Sequence, residues 1–380
     1  MRLLVFNAGS SSLKYRLFEL ASGDAPAETA RGEIERIGEG DEAPADHAMA
    51  VRRVLDDLSR RGEDRFEAYA HRVVHGGERF REPARVDDET LAAIEEATDL
   101  APLHNAPALA VIRECRRTAT PPVPQVAVFD TAFHRTLPER AFRYALAPEL
   151  AERLGIRRFG FHGLSYRSMC DRYFGETGRR IEPSRLIAFH LGNGASACAL
   201  RDGRSIDTSM GFTPLEGLVM GTRSGDLDAS LVPFIAEREG MTGAEVLAQL
   251  NDRSGLLGLS GVSRDVREIE RAADEGNSRA RLALDIFAYR ARKYLGAYLA
   301  ALGGADAILF GGGIGEHATT VRSAMLDGLE ELGISLDQAR NERIRGEVGR
   351  ISAEGSRIEV WVTPTDEEVV IARDAAVLLQ

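Results

Sequence analysis

The chain contains one strand–turn–strand pattern twice, near residue 2 and again near residue 185. In the first copy, "RLLVF" predicts a buried strand, "NAGSSS" a turn of small residues, and "LKYRLFEL" an alternating return strand. The segment "SRLIAFHLGNGASACALRDGRSID" repeats this order. At a gap-free offset of 183, the identical positions are Arg2/Arg185, Leu3/Leu186, Phe6/Phe189, Gly9/Gly192 and Leu17/Leu200. The alternative is chance similarity over a short window, but one copy opening each half of the chain favours an internal duplication.

The rest of the chain alternates strand and helix patterns. "AYAHRVVHGG" (68–77) and "PQVAVFDTAFH" (124–134) predict buried strands, while residues 46–61 and 88–98 predict helices. This alternation is typical of an α/β protein with ligand sites at strand ends, and 380 residues suit two domains. We expect one domain over 1–147 and a second over 148–368, with a C-terminal helix at 369–380 packing back on the first.

Composition excludes several functional classes. The net charge is −11 and no basic block is present, so general nucleic-acid binding is not expected, although a local positive pocket remains compatible. The cysteines Cys115, Cys170 and Cys198 are scattered, which predicts reduced thiols and no zinc site. The opening "MRLLVF" is too short for a signal-peptide core, and no apolar run approaches the ~18 residues of a spanning helix. We therefore expect a soluble, cytoplasmic protein without membrane contact.

Three glycine-rich turns follow predicted strands, at 7–14, 190–196 and 311–317. Glycines let backbone N–H groups approach a ligand, and serine, asparagine and lysine add donors, which suits a polyphosphate. The alternative is that each is an ordinary hairpin turn. GxxxxGK[ST] is absent, and "GGGIGEH" has Glu316 where GxGxxG needs its last glycine. A P-loop protein is therefore excluded and a dinucleotide dehydrogenase disfavoured.

Several polar residues lie in apolar sequence contexts. Those in "HRVVHGG", "APLHNAP", "VFDTAFH", "FGFHGLS" and "GFTPLEGLVMGTRSGDLD" are Arg72, His104, Asp130, His162 and Arg223. Each residue alone is compatible with a structural hydrogen bond. Together, arginines bind carboxylate or phosphate, and histidines donate to developing oxyanion charge. Glu367 and Glu368 are compatible with a Mg²⁺ site or with the ordinary acidic start of a helix.

These motifs, together with "VFNAGSSSLKY", "HLGNG", "SGLLGLSGVSRDVREI" and "GGGIGEH", resemble the acetate kinase family in order and over essentially the whole chain. The resemblance implies the fold of the sugar kinase, Hsp70 and actin superfamily: two duplicated ribonuclease H-like (actin-like ATPase) domains with the active site in the cleft between them. It implies reversible phosphoryl transfer from ATP to acetate, giving ADP and acetyl phosphate, with Mg²⁺ (or Mn²⁺). It also implies a homodimer whose interface lies in the second domain.

The resemblance also implies residue roles. The implied catalytic residues are Arg72, His104, Asp130, His162 and Arg223. The acetate pocket is implied to contain Val74, Leu103, Phe161 and Pro214 beside Arg72, and Mg²⁺ to be positioned by Asn7 and Glu367. Nucleotide contacts are implied for Ser10, Ser12, Lys14, His190, Leu191, Gly192, Asn193, Gly194, Asp265, Val266, Arg267, Gly313, Ile314, Gly315, Glu316 and His317. We expect Arg72→Ala or Arg223→Ala to cut turnover by orders of magnitude and to leave folding intact.

Two departures from the family pattern affect the nucleotide site. His317 replaces a usual asparagine, and Val266 stands where an aromatic residue is common. Two alternative functions also remain open at this point. The first is a propionate or butyrate kinase of the same family, although the full valine branch of Val74 favours acetate. The second is a non-catalytic actin-like nucleotide-binding module, which would have no use for the set of Arg72, His162 and Arg223.

Overall fold

The structure is a computed structural model that describes residues 1–21, 26–40, 43–98, 102–119 and 121–379. The chain divides into two compact units. Unit 1 comprises Met1–Arg135, Phe161–Leu164 and Asp366–Gln380, and unit 2 comprises Thr136–Gly160 and Ser165–Thr365. This division differs from the boundaries that we placed at 147 and 368. Unit 2 begins earlier than we placed it because the residues that follow Arg135 make their contacts with unit 2. For example, Thr136 Oγ1 donates a hydrogen bond to Ser205 O at 2.8 Å.

Unit 1 is built on a six-stranded mixed sheet with the order β3-β2-β1-β4-β6-β5. Its strands are β1 (Arg2–Ala8), β2 (Leu13–Glu19), β3 (Ala27–Ile34), β4 (Ala68–Val73), β5 (Ala84–Arg85) and β6 (Gln125–Phe129). Its helices are α1 (His47–Arg60), α2 (Asp88–Thr98), α3 (Pro102–Thr118) and the C-terminal α15 (Glu367–Leu379). A 3₁₀-helix at Asp130–Thr136 follows β6. Because β1, β4 and β6 are parallel, their carboxyl ends lie at the same edge of the sheet.

Both faces of this sheet are covered. Leu4 and Phe6 of β1 pack with α1 and α3, whereas Leu3 and Val5 pack with α15. This alternation follows from the two-residue period of a strand, which turns successive side chains to opposite faces. Helix α15 belongs to unit 1 and brings its N-terminal residue Glu367 to the edge where β1 and β4 end.

Unit 2 contains a second six-stranded sheet with the order β11-β12-β10-β7-β8-β9. Its strands are β7 (Arg185–Leu191), β8 (Ala195–Arg201), β9 (Arg204–Thr208), β10 (Ala307–Gly311), β11 (Gly349–Arg350) and β12 (Glu359–Val362). The helices between unit 1's α3 and α15 are α4 (Glu139–Phe142), α5 (Pro148–Arg153), α6 (Gly163–Thr177), α7 (Leu231–Glu239), α8 (Gly243–Asp252), α9 (Gly255–Ser260), α10 (Val266–Asp274), α11 (Ser278–Leu302), α12 (Gly312–His317), α13 (Thr319–Leu326) and α14 (Gln338–Arg343). A 3₁₀-helix covers Glu330–Leu332. Among the described residues, no helix is long and apolar enough to cross a bilayer.

The two sheets confirm the predicted duplication. Read from β5 to β3 and from β11 to β9, they have the same strand order and the same parallel and antiparallel pairings. Each second strand also carries an irregularity at the same place, between Leu17 and Phe18 and between Ala199 and Leu200. The turn after β7 is one residue shorter than the turn after β1. The gap-free alignment is therefore wrong beyond the turn, where Leu17 corresponds to Ala199 rather than Leu200.

The third glycine-rich segment is not a turn. After Gly311, which has an extended backbone, residues Gly312–His317 form the short helix α12. The prediction of a turn was wrong because glycine has a low helix propensity, which packing against β7 and β10 overrides here. The predicted strand before this segment is present as β10, and helix α13 follows the segment.

The stability of unit 1 is expected to depend on His71. This residue of β4 is 1% exposed, and burial lowers the pKa of its imidazole to about 4, opposed by the hydrogen bond that His71 Nε2 donates to Gln125 Oε1. Below its ordinary pKa of 6.5 the unfolded chain takes up a proton that the folded chain does not, so stability is lost as pH falls from 6.5 towards 4. The loss approaches about 3 kcal/mol. Urea unfolding at pH 7, 6 and 5 should show a shallower decline for His71→Gln, and equal slopes would contradict this assignment.

Candidate active site

Polar side chains gather at the carboxyl edge of the unit 1 sheet. Asn7 lies near the end of β1, Arg72 near the end of β4, and Asp130 directly after β6. The parallel register places Phe6 beside His71, and Arg72 beside Val128. All three residues therefore reach the same edge of the sheet.

Arg72 and Asp130 form a buried two-point ion pair. Arg72 Nε and Nη2 donate to Asp130 Oδ1 and Oδ2 at 3.0 and 2.6 Å, and the Asp130 side chain is 0% exposed. Burial raises the pKa of the Asp130 carboxyl, and the guanidinium opposes that shift. Burial alone would lower the pKa of Arg72, but the carboxylates of Asp130 and Glu367 raise it above its ordinary value. The carboxylates therefore keep the Arg72 guanidinium protonated and fixed in place at the sheet edge.

Asn7 connects this ion pair to the start of α15. Its Oδ1 accepts from Arg72 Nη1 at 3.1 Å, and its Nδ2 donates to Glu367 Oε2 at 3.1 Å and to Glu368 Oε1 at 2.7 Å. Glu367 Oε2 also lies 3.4 Å from Arg72 Nη1. Glu368, like Glu367, thus contributes to the cluster rather than serving only as a helix-start charge.

The donor set at this edge fits Mg²⁺. The carboxylates ion-paired with Arg16 and Arg72 are those of Glu28, Asp130, Asp366, Glu367 and Glu368. Within the described ranges, no group of three or more His, Cys, Asp or Glu side chains is arranged to hold a metal alone. Mg²⁺ typically takes one or two carboxylates and completes its shell with waters and substrate phosphates. Glu367 and the amide oxygen of Asn7 offer oxygen ligands of that kind.

His162 has a strained backbone beside Asp130. Its φ of 57° lies in the left-handed region, which a non-glycine residue seldom adopts and which is often found at functional sites. Its backbone N–H bonds to the Asp130 carboxylate and favours the ionised form. At the next position, a Cβ on Gly163 would lie 2.0 Å from Asp130 O, so only glycine fits. The chain is therefore held closely against the catalytic carboxylate predicted from sequence.

The apolar residues predicted for the acetate pocket are only partly described. Phe161 is 1% exposed and its carbonyl lies 2.9 Å from His134 Nε2, while its ring packs edge-on against His75 at 5.5 Å. Val74, next to His75, is 5% exposed. Leu103 and His104 belong to α3, but their side chains lie outside the described part of the structure.

Asn105 is a supporting residue that the sequence interpretation missed. Its Oδ1 accepts from His75 N at 2.9 Å and its Nδ2 donates to His75 O at 2.8 Å, so α3 holds the segment after β4. Asn105 could have been proposed from the sequence, because it follows His104 directly in the motif "APLHNAP".

The predicted phosphate-binding residues of the first turn also belong to unit 1. Ser10 and Ser12 lie in the turn between β1 and β2, and Lys14 is an exposed residue of β2 directly opposite Asn7. Opposed residues of an antiparallel pair lie on the same face of the sheet. Lys14 therefore shares a sheet face with Asn7.

In unit 2, the segment that carries Arg223 is joined to the second glycine turn. Gly221 N donates to Asn193 O at 2.9 Å, and a Cβ on Gly221 would lie 2.2 Å from Asn193 Oδ1. Arg223 Nη1 donates to Pro214 O at 3.2 Å. Burial lowers the pKa of Arg223, and Asp252 opposes the shift. The predicted catalytic arginine and the predicted phosphate turn are thus parts of one backbone arrangement.

A polar network that the sequence interpretation missed supports the same segment. Glu216 accepts hydrogen bonds from Tyr144 Oη and from Arg158 Nη2, the latter at 2.6 Å. Arg158 Nη1 also donates to the carbonyls of Thr208, Ser209 and Met210 at 3.0–3.1 Å. These bonds hold both sides of the turn that presents Pro214.

Unit 2 also contains a cavity of about 820 Å³ that is lined by half of the predicted nucleotide residues. The predicted residues that line it are Gly192, Asn193, Asp265, Val266, Arg267, Gly313, Ile314 and His317. The lining residues that were missed are Arg264, Glu270, Ala318 and Arg345. Arg264 lies within the quoted motif "SRDVREI" and could have been found there.

Other predicted nucleotide residues do not line this cavity. His190 and Leu191 belong to β7, and Gly194 ends the turn that follows it, where its carbonyl accepts from Gly192 N at 3.0 Å. Gly315 is buried, and Glu316 Oε1 accepts from Thr365 N at 3.0 Å.

Asp265, which does line the cavity, caps α10 and is ion-paired with Arg267, so its carboxylate has a local structural role as well.

Comparisons with known proteins agree with this geometry. A family model described as the acetokinase family matches residues 2–373. An acetate kinase of Geobacillus kaustophilus is 48% identical over 394 residues, which cover 98% of each chain. The crystal structure of Porphyromonas gingivalis acetate kinase matches with a TM-score of 0.90 and 41% identity over 100% of both chains. A propionate kinase from Francisella tularensis matches with a TM-score of 0.90 and 36% identity over 98% of both. The chain belongs to the acetokinase family.

Proposed function

We propose that the protein is an acetate kinase that reversibly transfers the γ-phosphoryl group of ATP to acetate, giving acetyl phosphate and ADP. The observation that carries the proposal is Arg72, a partly buried cation held at a strand end by Asn7, Asp130 and Glu367. Such a guanidinium is suited to bind a carboxylate or phosphate oxygen. Unit 2 contributes a second, partly buried arginine, Arg223, on a segment bonded to the glycine turn. The proposal requires both sets of residues to act on the same pair of substrates.

The chemistry needs charge compensation rather than a general base. Carboxyl groups have pKa values near 4, so acetate is already an anionic nucleophile at pH 7. The barrier is the approach of this anion to a polyanionic phosphate in line with the leaving oxygen. We assign Arg72 and Arg223 to cancel that repulsion. His162 donates to the equatorial oxygens as their charge changes.

Supporting residues fix these groups in place. Asp130 holds the Arg72 guanidinium at two points and receives the His162 backbone N–H. Asn7 and Glu367 would hold Mg²⁺, which when bound neutralises charge on the nucleotide phosphates. In unit 2, the turn of Gly192 and Asn193 would contact phosphates.

The acyl group is expected to be small because Val74 and Phe161, which the family resemblance implies for the acyl pocket, are both buried side chains. We predict the highest kcat/KM for acetate, with propionate and butyrate progressively poorer. Val74→Ala should shift the propionate-to-acetate ratio of kcat/KM by about tenfold in favour of propionate, because one methylene changes discrimination by ~1–3 kcal/mol. Steady-state kinetics with the three carboxylates test both statements.

The matched control is Val73→Ala, since the Val73 side chain lies in the core of unit 1 with Ile94 and Phe129. This change should lower stability and leave the substrate ratio unaltered. A wild-type preference for propionate would favour the other activity known among the structural matches. An unchanged ratio in Val74→Ala would remove Val74 from the acyl pocket.

The proposal extends to assembly and location. No residue of α7 is buried, and Leu231 and Phe234 of that helix are 42% and 54% exposed. This apolar surface suits the homodimer implied by the family, and a mass measurement in solution tests it. Cys115, Cys170 and Cys198 are free buried thiols, which agrees with a cytoplasmic location.

A further inference from the structure

Arg322 is a buried arginine that none of the residue roles above includes. It lies on α13, its side chain is 0% exposed, and it is the largest fully buried side chain among the described residues. Arginine is seldom fully buried without a carboxylate partner. Here every acceptor among the described residues is a neutral oxygen, and burial lowers the pKa of the guanidinium to about 10, with Arg345 adding to the shift. The side chain therefore remains charged at pH 7.

All five donors of the guanidinium are used, and they bind two separate chain segments. Nη1 donates to Gly315 O and Glu316 O, both at 2.8 Å. Nε donates to Asn341 Oδ1 at 2.7 Å, and Nη2 donates to Asn341 O at 2.8 Å and Ile344 O at 2.9 Å. A single rigid side chain thus joins the end of α12 to the end of α14.

Both of these segments form walls of the 820 Å³ cavity. Gly313, Ile314, His317 and Ala318 come from the 312–318 segment, and Arg345 directly follows Ile344. A backbone bond from Gly346 N to Glu316 O, at 3.2 Å, joins the same two segments. Because carbonyls at the end of a helix lack partners within that helix, Arg322 also satisfies groups that would otherwise be buried unpaired.

We propose that Arg322 is a positioning residue for nucleotide binding, which fixes the 312–318 wall of the cavity against the 341–345 wall. It does not touch the nucleotide. It determines the spacing between the residues that do. The proposal rests on the proposed function only in taking this cavity as the nucleotide site.

Arg322→Lys tests the role of the five-donor fork, because lysine keeps the charge and supplies only three donors from a single atom. We expect the Kd for ADP, measured by isothermal titration calorimetry, to rise about tenfold or more. The KM for acetate at saturating ATP should remain within about twofold, since the unit 1 cluster is untouched. A purely structural defect would not separate the two ligands in this way.

The matched control is Arg340→Lys on α14. Arg340 is ion-paired with Asp337 and Glu354 and does not line the cavity. Its substitution should leave the ADP Kd within about twofold. Folding of each variant is checked by thermal unfolding.

Folded Arg322→Lys protein that binds ADP as tightly as the wild type would overturn the proposal, as would equal losses for ADP and acetate. If this variant does not fold, Asn341→Ala tests the proposal instead. It leaves Arg322 in place and removes only the oxygen that accepts from Arg322 Nε and the hydrogen bonds that Asn341 Nδ2 donates. A folded Asn341→Ala protein with an unchanged Kd for ADP would also overturn the proposal. Wild-type protein that binds ADP and forms no acyl phosphate would contradict the proposed function, while the Kd comparison would still judge Arg322.

Discussion

Replacing Arg223 with alanine is expected to lower kcat by about 10³-fold, because the phosphoryl oxygens lose a preorganised cation in the transition state. The loss of folding stability should be small, because the Arg223 side chain is not fully buried. Its Nη1 donates to Pro214 O and lies 3.9 Å from the Met220 sulfur. The variant should therefore fold, and its residual turnover should be measurable with both substrates at saturation.

Two further variants make this result specific. Arg223→Lys keeps the charge without the planar fork and should recover only part of the loss. Arg253→Ala removes an exposed arginine of the same unit and should leave kcat unchanged. Thermal unfolding of all three variants separates catalytic from structural effects. A kcat for Arg223→Ala near that of the wild type would remove this residue from the mechanism.

Replacing Arg72 with alanine is expected to abolish turnover and also to destabilise unit 1. The change leaves the Asp130 carboxylate buried at 0% exposure without its two-point partner. Breaking a buried ion pair by removing one member costs about 3–5 kcal/mol. The expectation from sequence that this variant leaves folding intact is therefore replaced by an expected drop in the free energy of unfolding. Urea unfolding and steady-state kinetics measure the two effects.

A double-mutant cycle separates these effects. Adding Asp130→Asn to Arg72→Ala removes the unpaired charge, so much of the lost stability should return. Activity should not return, because the cation that binds the anionic substrates is still absent. If the double variant is no more stable than Arg72→Ala, the ion pair is not the cause of the destabilisation. If Arg72→Ala alone retains activity, the proposed role of Arg72 fails.

The polar residues at the strand ends could be predicted from the sequence because each is marked by the residues next to it in the chain. Asn7, Arg72 and Asp130 each follow a short apolar run, and parallel strands bring such positions to one edge. The duplication could also be predicted from the sequence. The alignment of its second strands could not, because no residue in the two turns indicates that one turn is a residue shorter than the other.

The supporting residues Arg158, Glu216 and Arg322 could not be predicted because their partners are distant in sequence. Arg158 and Glu216 are 58 positions apart, and Arg322 and Asn341 are 19 apart. Nothing in "ATTVRSAML" distinguishes a buried arginine from an exposed one. Such roles arise from tertiary packing, which single-residue propensities do not encode. The two departures that we noted, Val266 and His317, both line the cavity and make the nucleotide preference worth measuring.

The central claim is that a carboxylate accepts the phosphoryl group directly, and trapping of the product with hydroxylamine tests it. Purified protein with ATP, Mg²⁺ and acetate should produce acetohydroxamate in step with ADP, and production should stop when acetate is omitted. Arg223→Ala should reduce both products together. Release of ADP without any hydroxamate, or nucleotide binding with neither product, would contradict the account.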